Sequence, residues 1–190
     1  FTGLAGIMGC EYARRSGEPE AVAQAIFEHT LPRYAGDALP ESKPGIVLAI
    51  ADRLDSLVGL FAIGLAPTAT ADPFALRRAA LGLIQTLIEC KLELDLNDAI
   101  HLAATVQPLP VSTEIEANVL EFIQRRMKQW LTERGERNDL LQAVLAMRGH
   151  NPASTVWTLR ELAEQVHTER FQRVLTAYLR PARIVRDRKL

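Results

Sequence analysis

The sequence predicts an all-α protein, a helical bundle, on three observations. Apolar residues recur at three- and four-residue spacing along nearly the whole chain. No segment shows a convincing two-residue alternation of the kind that marks a half-buried strand. Proline, glycine, aspartate and serine punctuate the apolar runs where helices start and stop. With 190 residues, 48% hydrophobic and 24% charged, the chain can bury a real core in one domain or two small helical ones.

The elements follow in order. Leu4 to Arg15 has helical spacing and stops at Ser16-Gly17; its Gly6 and Gly9 suggest close packing on a neighbouring helix. Pro19 starts a second helix in which Val22, Ile26 and His29 share a face. Leu31 to Pro44 carries three prolines and reads as a structured loop, long enough to serve a function. Gly45 to Gly64 (GIVLAIADRLDSLVGLFAIG) is a long apolar helix holding a polar knot of Asp52, Arg53 and Asp55. LAPTATADP connects it to FALRRAALGLI, with Asp72 as expected N-cap and Pro73 at the first helical position. Leu96 to Val106 forms a short helix after a turn at Cys90 to Asp95. QPLPVST then breaks the chain and supplies Ser112 or Thr113 as a cap. Glu114 to Arg134 is amphipathic, with Ile115, Val119, Phe122, Ile123, Met127, Trp130 and Leu131 on one stripe. Asn138 is the expected cap of DLLQAVLAMR, Gly149 its stop, and one or two helices run from Thr155 to about Arg186. The proline-rich stretch at Gln107–Thr113 marks a domain boundary, giving units 1–106 and 107–190.

Composition excludes some functions. A net charge of −1 argues against a wholesale nucleic-acid coat, so RNA contact must come from local arginine patches. The two cysteines, Cys10 and Cys90, show no CxxC spacing and read as buried, reduced thiols of a cytosolic protein. Neither a signal peptide nor a membrane span is visible, because Asp52, Arg53 and Asp55 interrupt the longest apolar stretch. The opening on Phe1, already in helical rhythm, reads as an internal piece of a longer protein.

Asp52 and Asp55 stand three apart on a helix, so both carboxylates can face one way. An A-D-x-x-D helix resembles the last motif of HD-type metal phosphohydrolases, where an aspartate completes a metal site made with histidines and a His-Asp pair. This chain has no His-Asp dipeptide, and His29, His101, His150 and His167 are scattered without ligand spacing. Carboxylates alone would need further oxygen ligands to hold a hard divalent metal. The bland alternative is a polar knot pairing Asp52 or Asp55 with arginines at a helix interface. His29, at a helix end before Pro32, reads as a packing or capping residue.

Short basic clusters occur at Arg14-Arg15, Arg33, Arg77-Arg78 and Arg125-Arg126 with Lys128; Arg183, Arg186, Arg188 and Lys189 make the end basic. Guanidinium forks suit phosphate because they can bind two oxygens at once, although such clusters are commonly just solvated faces. Aromatics are sparse between them: Tyr12, Tyr34, Trp130, Trp157 and Tyr178 are scattered, so any RNA contact should be mostly to backbone and shape. No P-loop, GxGxxG, GxSxG or HExxH occurs, and no serine or cysteine has an identifiable base beside it.

Several phrases in one order carry a family resemblance. FTGLAGIMGCEYARRSGE resembles the phrase "QGIMG-x-x-YA…GE" of the β subunit of the bacterial heterotetrameric glycyl-tRNA synthetase. IFEHTLPRYAGDALP resembles its "EHY-x-PR-x-AGD-x-LP", and ADRLDSLVGLFAIG with DPFALRRAALGLI is nearly verbatim. The match is specific to about Ile84 and weakens after Glu89 to helix rhythm, with VLEFIQRRMKQWLTERG and DLLQAVLA still recognisable. The resemblance implies an ATP-using ligase that joins glycine to its tRNA, built from two α and two β subunits and cytoplasmic. Glycine activation, with its ATP and Mg, would belong to the α subunit, and this segment would contain no catalytic centre, cofactor or metal. It implies that 1–106 is the end of an HD-like helical domain with the DPFALRR helix. By the same resemblance 107–190 is a helical body region, preceding an anticodon-binding domain that would follow Leu190. The segment would then position glycine tRNA, with no role for DNA or membrane. Arg14, Arg15, Arg33, Arg77 and Arg78 are the expected phosphate contacts, and His29, Asp52 and Asp55 structural remnants of an HD-type site. Two departures stand out: Thr30 replaces the family's tyrosine after Glu-His, and Ala182–Asp187 keeps only part of the usual Lys-Arg-x-x-Asn-Ile. The rival expectations are an HD-type metal-dependent phosphohydrolase fragment and a purely structural helical scaffold.

Overall fold

A computed structural model describes residues 2–34 and 36–186. One 3-10 turn, Thr2–Leu4, precedes nine α-helices in the described residues: α1 Ile7–Arg15, α2 Glu20–Glu28, α3 Lys43–Ala62, α4 Leu76–Glu89, α5 Leu96–Thr105, α6 Thr113–Glu133, α7 Asn138–Arg148, α8 Pro152–Gln165 and α9 Glu169–Arg186. The described residues include no strand, and the all-α expectation holds.

Helix α4 is the centre. Leu76, Ala80 and the unbroken run Leu81 to Leu87 are buried, as expected of a helix enclosed on most sides. It packs on α3, α6 and α8, while α3 also packs on α2, α5 and α6. A single cluster of buried side chains, from Leu54 to Leu159, includes Leu57, Leu83, Ile84, Leu87, Ile123, Met127 and Leu141. It continues on both sides of the 107–113 connector. The α6 stripe behaves as its spacing dictates: Val119, Ile123, Met127, Trp130 and Leu131 are buried, with the Arg134 guanidinium 4.7 Å from the Trp130 ring centre. Among the described residues, no helix is long and apolar enough to cross a membrane.

Helices α1 and α2 carry a small cluster of their own, Cys10, Ala13 and Ala23 with Ile26 and Phe27. A Cβ on Gly9 would come within 2.8 Å of Ile26, and one on Gly6 within 2.7 Å of the Thr30 hydroxyl. Gly6 also has φ +78, a left-handed conformation that costs an L side chain energy. That break is why α1 begins at Ile7 and not at Leu4.

Other ends differ from expectation for local reasons. Pro44 lies in the first turn of α3, behind Ser42, whose Oγ accepts the Gly45 N–H. Pro73 lies outside α4, because Ala75 at φ 56 precedes the helix. Asp72 still caps α4 from a distance, its carboxylate accepting the N–H groups of Leu76 (2.8 Å) and Arg77 (3.0 Å). Asn138 is helical and Arg137 takes the N-cap position without a side-chain cap bond. Asp95, Ser112 and Asn151 cap α5, α6 and α8 through their own oxygens. Both cysteines are free; Cys10 is buried, while Cys90 is only half-buried. Of the basic C-terminal residues, Arg188 and Lys189 lie outside the described residues, as do Asp187 and the side chains of Arg183 and Arg186.

Candidate functional site

Two buried charged side chains join α2 to α3. Glu28, at the end of α2, is 5% exposed. Its carboxylate accepts bonds from Gln24 Nε2 (2.8 Å), the Ser42 N–H (2.9 Å) and the Ser42 hydroxyl (2.5 Å). It therefore sits against the N-terminus of α3, where unpaired N–H groups favour a negative charge. A Cβ on Gly45 would fall within 2.0 Å of Glu28 Oε2, so only glycine lets the carboxylate in. Burial alone would raise the Glu28 pKa; the bonds from Gln24 and Ser42 outweigh it and hold the group below the usual carboxylate range.

Arg53, on α3, is 6% exposed and faces backbone oxygens. Its guanidinium donates to the carbonyls of His29 (3.0 Å), Ala49 (2.8 Å) and Leu31 (2.6 Å), with Pro32 at 3.5 Å. His29 and its neighbours end α2, where helical carbonyls lack partners and the helix end is negative. Gly82 of α4 supplies the space, since a Cβ there would meet Arg53 Nε at 2.6 Å. Burial pulls the Arg53 pKa below its ordinary value, and nearby Asp52 pushes weakly the other way. The polar knot thus differs from expectation: among the described residues neither Asp52 nor Asp55 pairs with an arginine. Asp55 accepts from Gln107 Nε2 at 2.7 Å in an apolar groove between α3 and α5, beside Leu48, Leu94, Leu102 and Val106. Asp52 lines both that groove and a cleft on the other side of α3.

That cleft, about 770 Å³, gathers His29, Arg33, Tyr34, Asp52, Arg53, Ser56, Phe74 and Arg78 from the cap and loop after α2, from α3, from the α3–α4 connector and from the start of α4. The Arg53 clamp fixes the loop carbonyls, and Asp72 fixes the start of α4, so both walls are held from within. His29 Nδ1–H donates to the Ile26 carbonyl (2.6 Å), so in the neutral ring Nε2 is the unprotonated nitrogen and can only accept. Thr30 bonds the Phe27 carbonyl through its hydroxyl (2.9 Å). Among the described residues, no group of three or more His, Cys, Asp or Glu side chains is placed to hold a metal ion. The other three histidines lie elsewhere: His101 with Glu116 at 3.2 Å, His150 with Asp95 at 3.9 Å, and His167 with its Nε2 3.5 Å from Arg137 Nη1.

The five expected phosphate contacts divide. The Arg14 fork is taken by Glu20, with bonds of 3.0 and 2.5 Å, which raises the Arg14 pKa. Arg33 grips Asp37 by Nε (2.8 Å) and Nη2 (3.3 Å), and that pairing pushes the Asp37 pKa down to about 2. Arg77 reaches the Thr68 carbonyl and lies 3.8 Å from Asp72. Arg15 is largely exposed, with Glu11 at 3.9 Å. Arg78 is exposed, and its guanidinium makes no bond or ion pair among the described residues. Arg33 and Arg78 share the cleft; Arg14 and Arg15 lie away from it on α1. Phe74 was not foreseen as a site residue: it stands far from Tyr34 in sequence, and only the α3–α4 turn brings the two rings to one cleft.

A family model described as "Glycyl-tRNA synthetase beta subunit" matches residues 1–146. The chain belongs to that family. A glycine–tRNA ligase of Arabidopsis thaliana named chloroplastic/mitochondrial 2 is 44% identical over 99% of this chain and 18% of its own length. Glycine–tRNA ligase beta subunits of Haemophilus influenzae and Chromohalobacter salexigens are 44% and 46% identical, over 80% and 77% of this chain. Those alignments cover 22% and 21% of the bacterial subunits. The chain therefore spans about a fifth of the length of these glycyl-tRNA synthetase relatives, and the α2–α4 cleft lies inside the matched segment.

Proposed function

We propose that this chain is the tRNA-positioning segment of a glycine–tRNA ligase β subunit, which attaches glycine to its tRNA using ATP. In this reading ATP and Mg are used by an α subunit, the assembly is α2β2, and the segment carries out no chemistry itself. The proposed compartment is the cytoplasm, as for a bacterial enzyme; the plant relative's name gives chloroplast or mitochondrion for that protein. The observation that carries the reading is Arg78: an exposed guanidinium, without a partner among the described residues, lining a cleft shared with Arg33 and His29. Phosphate prefers such a fork because two N–H groups can bind two oxygens at once. Arg14, Arg33 and Arg77 support it less, because each already serves a carboxylate or carbonyl of its own chain. That same engagement favours the scaffold reading, in which these arginines only hold helices.

One experiment separates them. Glycine tRNA binding to the intact α/β assembly is measured at two salt concentrations for wild type, Arg78→Glu and Arg14→Glu. Arg78→Glu should weaken affinity and flatten the salt dependence, because a phosphate contact releases counterions. Arg14→Glu should change binding little. Unchanged affinity and slope in Arg78→Glu, with the assembly intact, would leave the scaffold reading.

A further inference from the structure

Resting on the tRNA-positioning reading above, we infer that the α2–α4 cleft takes one unpaired nucleotide of an RNA strand, its base against Tyr34 and Phe74 and its phosphate on Arg78. Three observations carry this. The volume, about 770 Å³, falls in the range of roughly 300–1,000 Å³ that encloses a molecule of nucleotide size. A single splayed-out nucleotide fits that volume, whereas a duplex stem is far larger. Two aromatic rings line the cleft, and both are solvent-facing for core-type residues: Tyr34 is 62% and Phe74 47% exposed. Exposed aromatics in a concave wall are stacking platforms, and every base offers them a flat face. Finally, the polar groups are of both kinds. Among the described residues Arg78 offers a cation without a partner, and Asp52 lines the same cleft with a carboxylate that accepts no side-chain bond. A carboxylate repels phosphate but accepts from the exocyclic amino group of a base. The phosphate would therefore go to Arg78 and the base amino group to Asp52, and bases bearing an amino group should be preferred to uracil.

The test uses the full-length β chain assembled with its α partner. The probes are a short single-stranded RNA carrying 2-aminopurine, a blunt RNA hairpin with a closed stem, free AMP, and glycine tRNA. The variants are Tyr34→Ala/Phe74→Ala and Arg78→Glu; both aromatics are exposed, so an unchanged thermal transition is expected and checked. The expected result is single-strand binding weakened roughly five- to a hundredfold in the aromatic variant. The hairpin should be unaffected by that variant, and replacing the probe base by uracil should weaken binding in wild type but not in Asp52→Ala. Equal single-strand affinity in the aromatic variant and wild type overturns the inference. Loss of AMP binding alone, with RNA unaffected, also overturns it and reassigns the cleft to a free nucleotide. If Arg78→Glu weakens glycine tRNA while the aromatic variant does not, the positioning reading stands and the nucleotide cleft falls. If neither variant weakens it, both fall.

Discussion

The two halves of the molecule are held together by different physics. Around α4 the cohesion is apolar: Leu57, Leu83, Ile84, Leu87 and Met127 are fully buried in one continuous cluster. At the α2–α3 joint it is polar, through Glu28 against the start of α3 and Arg53 against the end of α2. Apolar packing is non-directional and tolerates small shifts, whereas hydrogen bonds to buried charges fix angles and distances. The cleft lies on the polar joint, where position matters most. The apolar half supplies stability and the polar joint supplies aim.

Substitutions can sharpen that contrast, with local stability followed by native-state hydrogen exchange of the full-length subunit, corrected for intrinsic exchange rates. Leu83→Ala should cost most, about 2–5 kcal/mol from lost transfer energy and a cavity, equally at pH 7 and pH 4. Arg53→Met should cost about 2–4 kcal/mol, because the His29 and Leu31 carbonyls lose their donor. Arg53→Lys should recover little, as one ammonium cannot span both sides of that carbonyl array. Near-full recovery by lysine would break the clamp interpretation.

Glu28→Gln should cost about 1.5–3 kcal/mol at neutral pH, the worth of hydrogen bonds to a charged group. The folded Glu28 pKa lies below its ordinary 4.5, so the carboxylate's contribution is complete above that pH. It fades as the pH falls through the lower folded value. Wild type should therefore lose its advantage over the variant in acid, with α2–α3 amides exchanging faster first. The Arg33–Asp37 pair should lose its contribution as the pH falls from 3.8 through about 2, the folded Asp37 value. An α4 region that loosened before α2–α3 in acid would contradict the division. The smallest effect should come from Arg125→Ala, which removes an exposed ion pair to Glu121 at 2.9 Å. It should stay within about 0.5 kcal/mol.

Much of this was legible in the chain. The α6 stripe and the cap at Ser112 sit where spacing and turn chemistry put them, whereas Asp95 read only as part of a turn and proves to cap α5. Asp72 was legible as a capping carboxylate but not in its register, because the left-handed backbone at Ala75 leaves no mark in an alanine. Asn138 shows the converse: a good capping residue loses its place when the helix starts one residue early. The polar knot was visible as residue types, yet its wiring was not. Opposite charges on one helix suggest ion pairs, while Arg53 instead finds main-chain oxygens from 21 to 24 positions away. The cleft was legible in part, through His29, Arg33, Asp52 and Arg78. Its aromatic wall was not, because Tyr34 and Phe74 belong to separate loops that only the α3–α4 hairpin brings together.

Because Arg53 grips backbone oxygens and no side chain, its hold on the 29–32 corner makes no direct demand on the side chains of His29, Thr30 and Leu31. Thr30 can stand in place of a large aromatic ring without the anchor noticing. Those side chains of the cleft wall can change in chemistry while the anchor holds the backbone in place. The freedom ends at Gly82 and Gly45, where a single methyl group would push the anchoring charges themselves out of their seats.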